Sequence, residues 1–196
     1  MDTLIFATNN QHKVEEVRDV LRNQFDIITL NEAGILIDIP EPHNTLEENA
    51  SEKSSVIHTL TQKNCFSEDS GLEVFALNGA PGVKSARYAG EPPSVSANVR
   101  KLLMNMENVR NRQAQFRTII SLIIDTKEFQ FEGICEGEII FEERGKNGFG
   151  YDPVFVPQGS QKTFAEMDLK EKSNFSHRKK AMDKLIKFLA DYSQKY

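Results

Sequence analysis

The alternation of apolar and polar residues predicts that the chain opens with a strand, a polar loop, a helix and a second strand. A continuous apolar run at residues 4–7 has the pattern of a buried strand, and polar, turn-forming residues occupy positions 8–12. Apolar residues then recur at helical spacing from Val14 to Leu21, and residues 25–30 again have the pattern of a strand. This strand–helix–strand order favours an α/β fold.

Later helix starts are predicted from capping residues. Thr45 and Glu48 fit the S/T-x-x-E capping box, in which side chains satisfy the free N–H groups at a helix start. Thr163 and Glu166 fit a second capping box. Ser176 is placed to cap the last helix, which carries an apolar stripe.

The remaining strands predict a mixed sheet with helices around it. Residues 65–68 have the pattern of a strand that ends in a turn at 69–71, with residues 72–77 as its partner. Residues 116–124 form the strongest apolar run in the chain. The following apolar residues, between positions 129 and 141, predict an antiparallel hairpin or meander.

The composition is that of a globular chain without a strongly basic surface. The sequence has 196 residues, of which 39% are hydrophobic and 27% charged, and its formal net charge is -5. This length suits one compact domain, or two small lobes that share one core, and we expect residues 1–196 to form a single functional domain. The acidic balance argues against a general nucleic-acid partner, because binding nucleic acid requires basic residues that neutralise phosphates.

Secretion and membrane insertion are not indicated. The N-terminus lacks a basic segment before its short apolar run, and no stretch approaches the roughly 20 apolar residues that span a bilayer. Cys65 and Cys135 lack the spacing of a metal site, and we interpret them as reduced, buried thiols. We therefore expect a cytoplasmic protein with no membrane partner.

Two segments near predicted strand ends carry candidate phosphate and acid chemistry. In the segment 8–13, backbone amides, a helix dipole and Lys13 can attract an anion, although an Asn-rich capping turn explains the pattern equally well. Glu68 and Asp69 are adjacent in a strand, so their side chains should point to opposite faces and serve different roles. Gly71 permits a tight turn after them, and taken alone a charged turn is the simpler explanation.

A later glycine-rich segment, residues 145–155, carries candidate base-binding chemistry. Its three glycines allow a ligand to approach the backbone, and the rings of Phe149 and Tyr151 could face a flat base. Asp152 precedes Pro153, which favours an extended conformation. A glycine-rich hairpin with core aromatic residues is the alternative, and we favour a functional role.

Basic residues begin the last predicted helix. His177 and Arg178 fall in its first turn, where cations are unfavourable, so we expect an anion or acceptor nearby. Lys179 and Lys180 fit a solvated helix face.

Taken in order, these segments resemble the inosine triphosphate pyrophosphatase family over nearly the whole chain. The matching motifs are Thr8, Asn10 and Lys13 in T-x-N-x-x-K, then Glu48-Asn49-Ala50, Asp69-Ser70-Gly71, Ala80-Pro81-Gly82, Ser85-Ala86-Arg87-Tyr88, Phe149-Gly150-Tyr151-Asp152-Pro153, Lys172 and Ser176-His177-Arg178. A single motif of this kind is weak, whereas the ordered set is highly specific.

The resemblance implies a fold and an activity. The fold is an elongated mixed β-sheet flanked by helices, with two lobes and a nucleotide cleft between them, usually in a homodimer. The activity is the hydrolysis of non-standard purine nucleoside triphosphates, such as ITP, dITP and XTP, to the monophosphate and pyrophosphate. It uses Mg²⁺ and removes these compounds from the nucleotide pool.

The resemblance also implies a role for each matching residue. Asp69 would be the general base and a metal ligand, and Glu41 the second metal ligand. Because the sequence around Glu41 departs from the family's acidic stretch, Glu48 and Glu68 remain alternatives. The triphosphate and sugar would contact Thr8, Asn9, Asn10, Gln11, His12, Lys13 and Ser70. The base would be surrounded by Phe149, Gly150, Tyr151, Asp152, Lys172, His177 and Arg178.

The segment 8–13 departs from the family pattern at two positions. Asn9 replaces the usual glycine, and because asparagine tolerates a positive φ we expect the loop to be preserved. His12 replaces a commonly smaller residue and is expected to alter phosphate contacts.

Two other functions stay open at this point. One is a related pyrophosphatase of the septum-formation inhibitor type, which acts on other modified nucleotides and is disfavoured by the motifs at 149–152 and 176–178. The other is a nucleotide-binding regulatory module without turnover, which the acids, Lys13 and the complete base-site motifs disfavour.

Overall fold

The structure is a computed structural model that describes residues 3–21 and 26–193. Its strands are β1 (Thr3–Phe6), β2 (Asp26–Thr29), β3 (Cys65–Val74), β4 (Gln113–Ile124), β5 (Lys127–Ile139) and β6 (Phe155–Pro157). They form one sheet in the order β2-β1-β3-β4-β5-β6. β1 is parallel to β2 and β3, whereas β5 and β6 are antiparallel. The predicted mixed sheet is therefore confirmed; Phe25, which was assigned to the second strand, lies outside the described residues.

The helices confirm the α/β class and two of the predicted caps, those at Thr45 and Thr163. Capping of the last helix by Ser176 stays a prediction. The helices are α1 (Gln11–Leu21), α2 (Leu46–Thr61), α3 (Val95–Asn105), α4 (Leu169–Ser173) and α5 (His177–Ser193). The Thr45 hydroxyl accepts a hydrogen bond from the backbone N–H of Glu48 at the start of α2. Thr163 and Glu166 form the predicted capping box, although it begins a 3-10 turn of only three residues.

The hairpin after the strongest apolar run is also present. β4 and β5 are neighbours in the sheet, and only Asp125 and Thr126 separate them in the chain. Both residues have positive φ, as the tight turn of a hairpin requires.

The predicted turn at residues 69–71 is wrong. β3 continues through these positions, and a 3-10 turn, Phe75–Leu77, follows it in place of a partner strand. Nearly all of β3 is buried, and this burial outweighs the local turn signals. Gly71 is needed for close packing, because a Cβ there would lie 2.5 Å from the carbonyl oxygen of Gly82.

The chain divides into two compact units with separate cores. Unit 1 comprises Met1–Asp69, Thr118–Gly133 and Arg178–Tyr196, and unit 2 comprises Ser70–Arg117 and Ile134–His177. Phe6, Phe66 and Leu185 belong to a core cluster of unit 1. Phe116, Phe155 and Phe164 belong to the core of unit 2. That residues 1–196 act together as a single functional domain stays a prediction.

The cysteines behave as predicted. Cys65 and Cys135 are buried free thiols, and burial raises the pKa of the Cys65 thiol to about 12. The Cys65 thiol is therefore not activated as a nucleophile by its surroundings. In the described part of the chain, no helix has the length and apolarity needed to cross a bilayer.

Candidate active site

The segment between β1 and α1 is a short capped turn. Asn10 Oδ1 accepts a hydrogen bond from the Lys13 N–H, and Thr8 Oγ1 accepts one from the Asn10 N–H. The helix begins at Gln11, so the predicted loop ends at Asn10, and Lys13 belongs to the first turn of α1. Gln11 and His12 are exposed there. The Asn-rich capping turn is therefore present, and binding of an anion at this helix start stays a prediction.

Asn9 keeps this turn in place by a different means from the one expected. Among the described residues, the non-glycine positions with positive φ are Gln62, Asn78, Asp125 and Thr126. Asn9 therefore does not use the positive φ that asparagine would tolerate. Its side chain instead accepts a hydrogen bond from the backbone N–H of Asn31 at 3.0 Å, which ties the turn to the segment after β2.

Glu68 is a buried anion with two cationic partners. The Arg178 guanidinium donates to both of its carboxylate oxygens, at 2.7 and 2.9 Å, and Lys13 Nζ lies 3.1 Å from it. Burial by itself would raise the pKa of Glu68, but the charges of Arg178 and Lys13 hold it well below its usual range. Arg178 also pairs with Glu16. The acceptor expected near the first turn of α5 is therefore present.

Asp69 has a separate set of partners, as the alternation of strand side chains predicted. Its Oδ1 accepts a hydrogen bond from Lys53 Nζ at 3.0 Å, and the same ammonium donates to Glu41 Oε1 at 2.6 Å. Asn49 Nδ2 lies 3.4 Å from Asp69 Oδ2. Burial raises the pKa of Asp69; Lys53 opposes this effect and Glu41 adds to it. The structure thus brings Asp69 and Glu41 together around one positive charge, and Ser70 follows with a half-buried side chain.

The carboxylates of Asp69 and Glu41 suit a hard divalent cation. Both supply oxygen ligands, and both already form an ion pair with the Lys53 ammonium. Glu48, by contrast, is exposed and bonded to the Thr45 hydroxyl, while Glu68 is neutralised by its own cations. Within the residues that the structure describes, no group of three or more His, Cys, Asp or Glu could hold a metal. A Mg²⁺ ion held by two carboxylates completes its coordination with phosphate oxygens and water.

Lys53 and Asn49 are site residues that sequence reasoning missed. They are four positions apart on α2, and therefore share one face of the helix. That face also carries the buried apolar residues Leu46 and Ile57. A lysine and an asparagine on a buried apolar face need polar partners inside the protein. Their positions on this face could therefore have identified them from the sequence as candidate site residues.

Asp152 organises the predicted base-binding segment in unit 2. Its Oδ2 accepts hydrogen bonds from Lys172 Nζ at 2.8 Å and from the Phe149 N–H at 2.9 Å. Gly148 has a φ of 75°, and a Cβ there would lie 2.0 Å from the same oxygen, so the position requires glycine. Asp152 begins the 3-10 turn Asp152–Val154, and its expected extended conformation is wrong. The Val154 N–H donates to the Tyr151 carbonyl within this turn, and the Asp152 N–H donates to the Phe149 carbonyl just before it. These local bonds outweigh the preference set by the following proline.

The two aromatic residues of this segment have different surroundings. Phe149 is half-buried, and Lys172 Nζ lies 5.1 Å from its ring centroid. Tyr151 is only 3% exposed, and its hydroxyl donates to the Ser85 carbonyl. Gly150, between them, has a positive φ. The segment is therefore held from within unit 2, and contact of either ring with a base stays a prediction.

The remaining predicted base contacts are buried basic side chains. His177 is 4% exposed, and its ring stacks on Phe116 with centroids 4.9 Å apart. Lys172 is bonded to Asp152, and Arg178 to Glu68. Each of these side chains is thus oriented by a protein partner, and its role toward a base stays a prediction.

Comparison with known proteins places this chain among close relatives. A dITP/XTP pyrophosphatase of Porphyromonas gingivalis is 50% identical over 190 residues, which cover 96% of this chain and 98% of that protein. One of Flavobacterium johnsoniae is 45% identical over 186 residues, covering 95% and 97%.

The solved structure of the Staphylococcus aureus Ham1 protein is also similar. It is 40% identical, has a TM-score of 0.89 and covers 97% of this chain and 100% of its own. The family model described as Ham1 family matches residues 4–188. The resemblance inferred from the ordered motifs is thereby confirmed, and the chain belongs to the Ham1 family.

Proposed function

We propose that the protein hydrolyses non-standard purine nucleoside triphosphates, such as ITP, dITP and XTP, to the nucleoside monophosphate and pyrophosphate. The names of its relatives support this substrate class, since proteins 45% and 50% identical to it are dITP/XTP pyrophosphatases. The observation that carries the proposal is the convergence of Asp69 and Glu41 on the Lys53 ammonium in unit 1.

Asp69 is the group we assign to activate water. Cleavage between the α- and β-phosphates requires a water molecule to lose a proton as it attacks, and a nearby carboxylate can accept that proton. Burial raises the pKa of Asp69, which makes its carboxylate a better proton acceptor than an exposed one. No covalent nucleophile is required, in keeping with the buried Cys65 and Cys135 thiols.

Lysine side chains are assigned to neutralise the triphosphate. Lys13 lies in the first turn of α1 and is held by Glu68, and Lys53 is held between Asp69 and Glu41. Positive groups that are fixed before the substrate binds stabilise developing negative charge without reorganisation. Thr8, Asn10 and the amides at the start of α1 are the proposed contacts of the phosphates and sugar.

We also propose Mg²⁺ as the cofactor, held by Asp69 and Glu41. When bound, it would neutralise phosphate charge and polarise the phosphorus–oxygen bonds. The oxygen-only donor set of the two carboxylates supports this assignment.

The proposed choice of base rests on hydrogen-bond donors. Hypoxanthine and xanthine carry a carbonyl oxygen at C6, whereas adenine carries an amino donor there. Lys172 and Arg178 can only donate, and His177 can donate from a ring nitrogen. An adenine amino group would leave unsatisfied any N–H group that faces the base and is not used in the pairs with Asp152 and Glu68. This loss costs roughly 1–3 kcal/mol for each buried group. Guanine shares the C6 carbonyl, so rejection of GTP requires a further feature at its 2-amino group.

A homodimer and a cytoplasmic location complete the proposal, on the strength of the family resemblance. Light scattering on the purified protein tests the first of these. A mass near twice that of the 22.3 kDa chain is the expected result, and a monomer would contradict it.

Pyrophosphate release tests the function. The purified protein is incubated separately with ITP, dITP, XTP, ATP and GTP. We expect one pyrophosphate and one monophosphate per turnover, a preference for the first three substrates, loss of activity with EDTA and recovery with Mg²⁺. Release of orthophosphate with a diphosphate product would contradict the proposed reaction, and equal rates with all five substrates would contradict the proposed specificity.

A further inference from the structure

We propose that Asn49 is a positioning residue that holds Asp69 and the segment carrying Glu41 in their working arrangement. This inference deepens the proposed function and rests on it. Asn49 belongs to the Glu48-Asn49-Ala50 motif at the start of α2.

The side chain of Asn49 is fully buried and makes three directed contacts. Its Oδ1 accepts a hydrogen bond from the backbone N–H of His43 at 3.0 Å. Its Nδ2 lies 3.3 Å from the His43 carbonyl oxygen and 3.4 Å from Asp69 Oδ2. Because the His43 N–H can only donate, it fixes the orientation of the amide and directs the amino group toward the two acceptors.

The pair of hydrogen bonds between the Asn49 side chain and the His43 backbone, called the clamp below, also restrains Glu41, which lies two positions earlier in the chain. Residues 35–44 have no helix or strand to fix their course. Bonds to both the N–H and the carbonyl of His43 tie this segment to α2. Glu41 thereby reaches the Lys53 ammonium, which the same helix presents one turn further on.

Asn49 and Lys53 together contact both carboxylate oxygens of Asp69. Lys53 bonds to Oδ1 and Asn49 lies against Oδ2, and the two residues share one face of α2. Among the partners that the described residues provide, loss of the amide leaves the Asp69 carboxylate bonded at Oδ1 alone. Residues that orient a catalytic or metal-binding carboxylate typically contribute about 10- to 100-fold to activity, without touching the substrate.

Asn98 provides a matched control for a purely structural role. It is also a buried asparagine that clamps the backbone, since its Oδ1 accepts from the Ala89 N–H at 2.7 Å and its Nδ2 donates to the Ala86 carbonyl at 2.9 Å. It belongs to unit 2 and has no carboxylate among these partners. Asn49→Ala and Asn98→Ala should therefore lower the melting temperature by similar amounts.

The two variants should differ in turnover. With ITP and saturating Mg²⁺, we expect kcat of Asn49→Ala to fall about 10- to 100-fold while KM changes little, because orientation of the carboxylate is lost and substrate contacts are not. Asn98→Ala should keep the wild-type kcat. Wild-type kcat in Asn49→Ala, or equal losses of kcat in both variants, would overturn the positioning role.

Hydrogen exchange of the His43 amide provides a readout that does not depend on activity. Exchange should be faster in Asn49→Ala than in wild type, and unchanged in Asn98→Ala. In Asn49→Asp the acceptor for this amide remains, so exchange should stay slow, while a second carboxylate against Asp69 Oδ2 should still lower kcat. Wild-type exchange in Asn49→Ala would overturn the clamp. If the wild-type protein released no pyrophosphate from ITP, the proposed function would fail, whereas the exchange measurement would still decide the clamp.

Discussion

Exchanging the two adjacent acids for their amides should separate catalysis from stability. Glu68 and Asp69 follow one another in β3, yet Glu68 binds Arg178 and Lys13 while Asp69 binds Lys53. We predict that Asp69→Asn removes activity and retains the fold, and that Glu68→Gln mainly lowers stability.

The stability loss for Glu68→Gln follows from its burial. Removing one partner of a buried ion pair typically costs about 3–5 kcal/mol, because the other charge stays buried. Glu16 still contacts Arg178, so we expect a loss near 3 kcal/mol. At about 2–4 °C per kcal/mol for a chain of this size, the melting temperature should fall by roughly 6–12 °C.

The stability effect of Asp69→Asn should be small. Burial raises the pKa of Asp69, so the folded protein gains little from its charge. Lys53 keeps Glu41 as a partner at 2.6 Å. We expect a change within about 1 kcal/mol, whereas loss of a general base should lower kcat by about 10²- to 10⁴-fold.

Two measurements on each variant decide between these expectations. Thermal unfolding gives the stability, and pyrophosphate release from ITP at a temperature where both variants are folded gives kcat. A larger loss of kcat in Glu68→Gln than in Asp69→Asn would refute the assignment of the base. A fall in melting temperature in Asp69→Asn as large as that in Glu68→Gln would refute the electrostatic reasoning.

The two remaining predictions concern the buried side chains of Lys172 and Glu68. Lys172→Met should lower kcat/KM for ITP more than for ATP, because it removes a donor proposed for the C6 carbonyl; an unchanged ITP/ATP ratio would contradict that role. Stability should also decrease as the pH falls below about 4.3. The pKa of Glu68 is depressed in the folded state, so its contribution is complete above the unfolded pKa and is lost on acidification. Melting temperatures measured between neutral and acidic pH should therefore fall less steeply in Glu68→Gln than in wild type, and equal slopes would count against the Glu68 contribution.

The sequence by itself determined the local elements and the family. Helix starts at Thr45 and Thr163 could be predicted because capping joins residues only three positions apart. The apolar run before Asp125 and Thr126 predicted its hairpin because side-chain alternation and turns are also local. The ordered motifs predicted the family before any geometry was known.

Local signals misled where burial or side-chain bonds outweighed them. The turn predicted at residues 69–71 is absent because β3 is buried along almost all its length. Asn9 does not use its tolerance of a positive φ, and its side chain instead accepts a hydrogen bond from the Asn31 N–H. In both cases a contact with a distant segment decided the local conformation.

Only the tertiary structure decided which charged groups meet. Arg178 and Glu68 are 110 positions apart in the chain, and Lys53 and Asp69 are 16 apart. Side-chain periodicity indicates which face of an element is buried, but it does not identify the element that covers that face. The packing of α2 against β3 brings Lys53 and Asn49 to Asp69. The sequence alone does not show this packing. Burial makes these pairings necessary, because a charge or amide removed from water must find its partner within the fold.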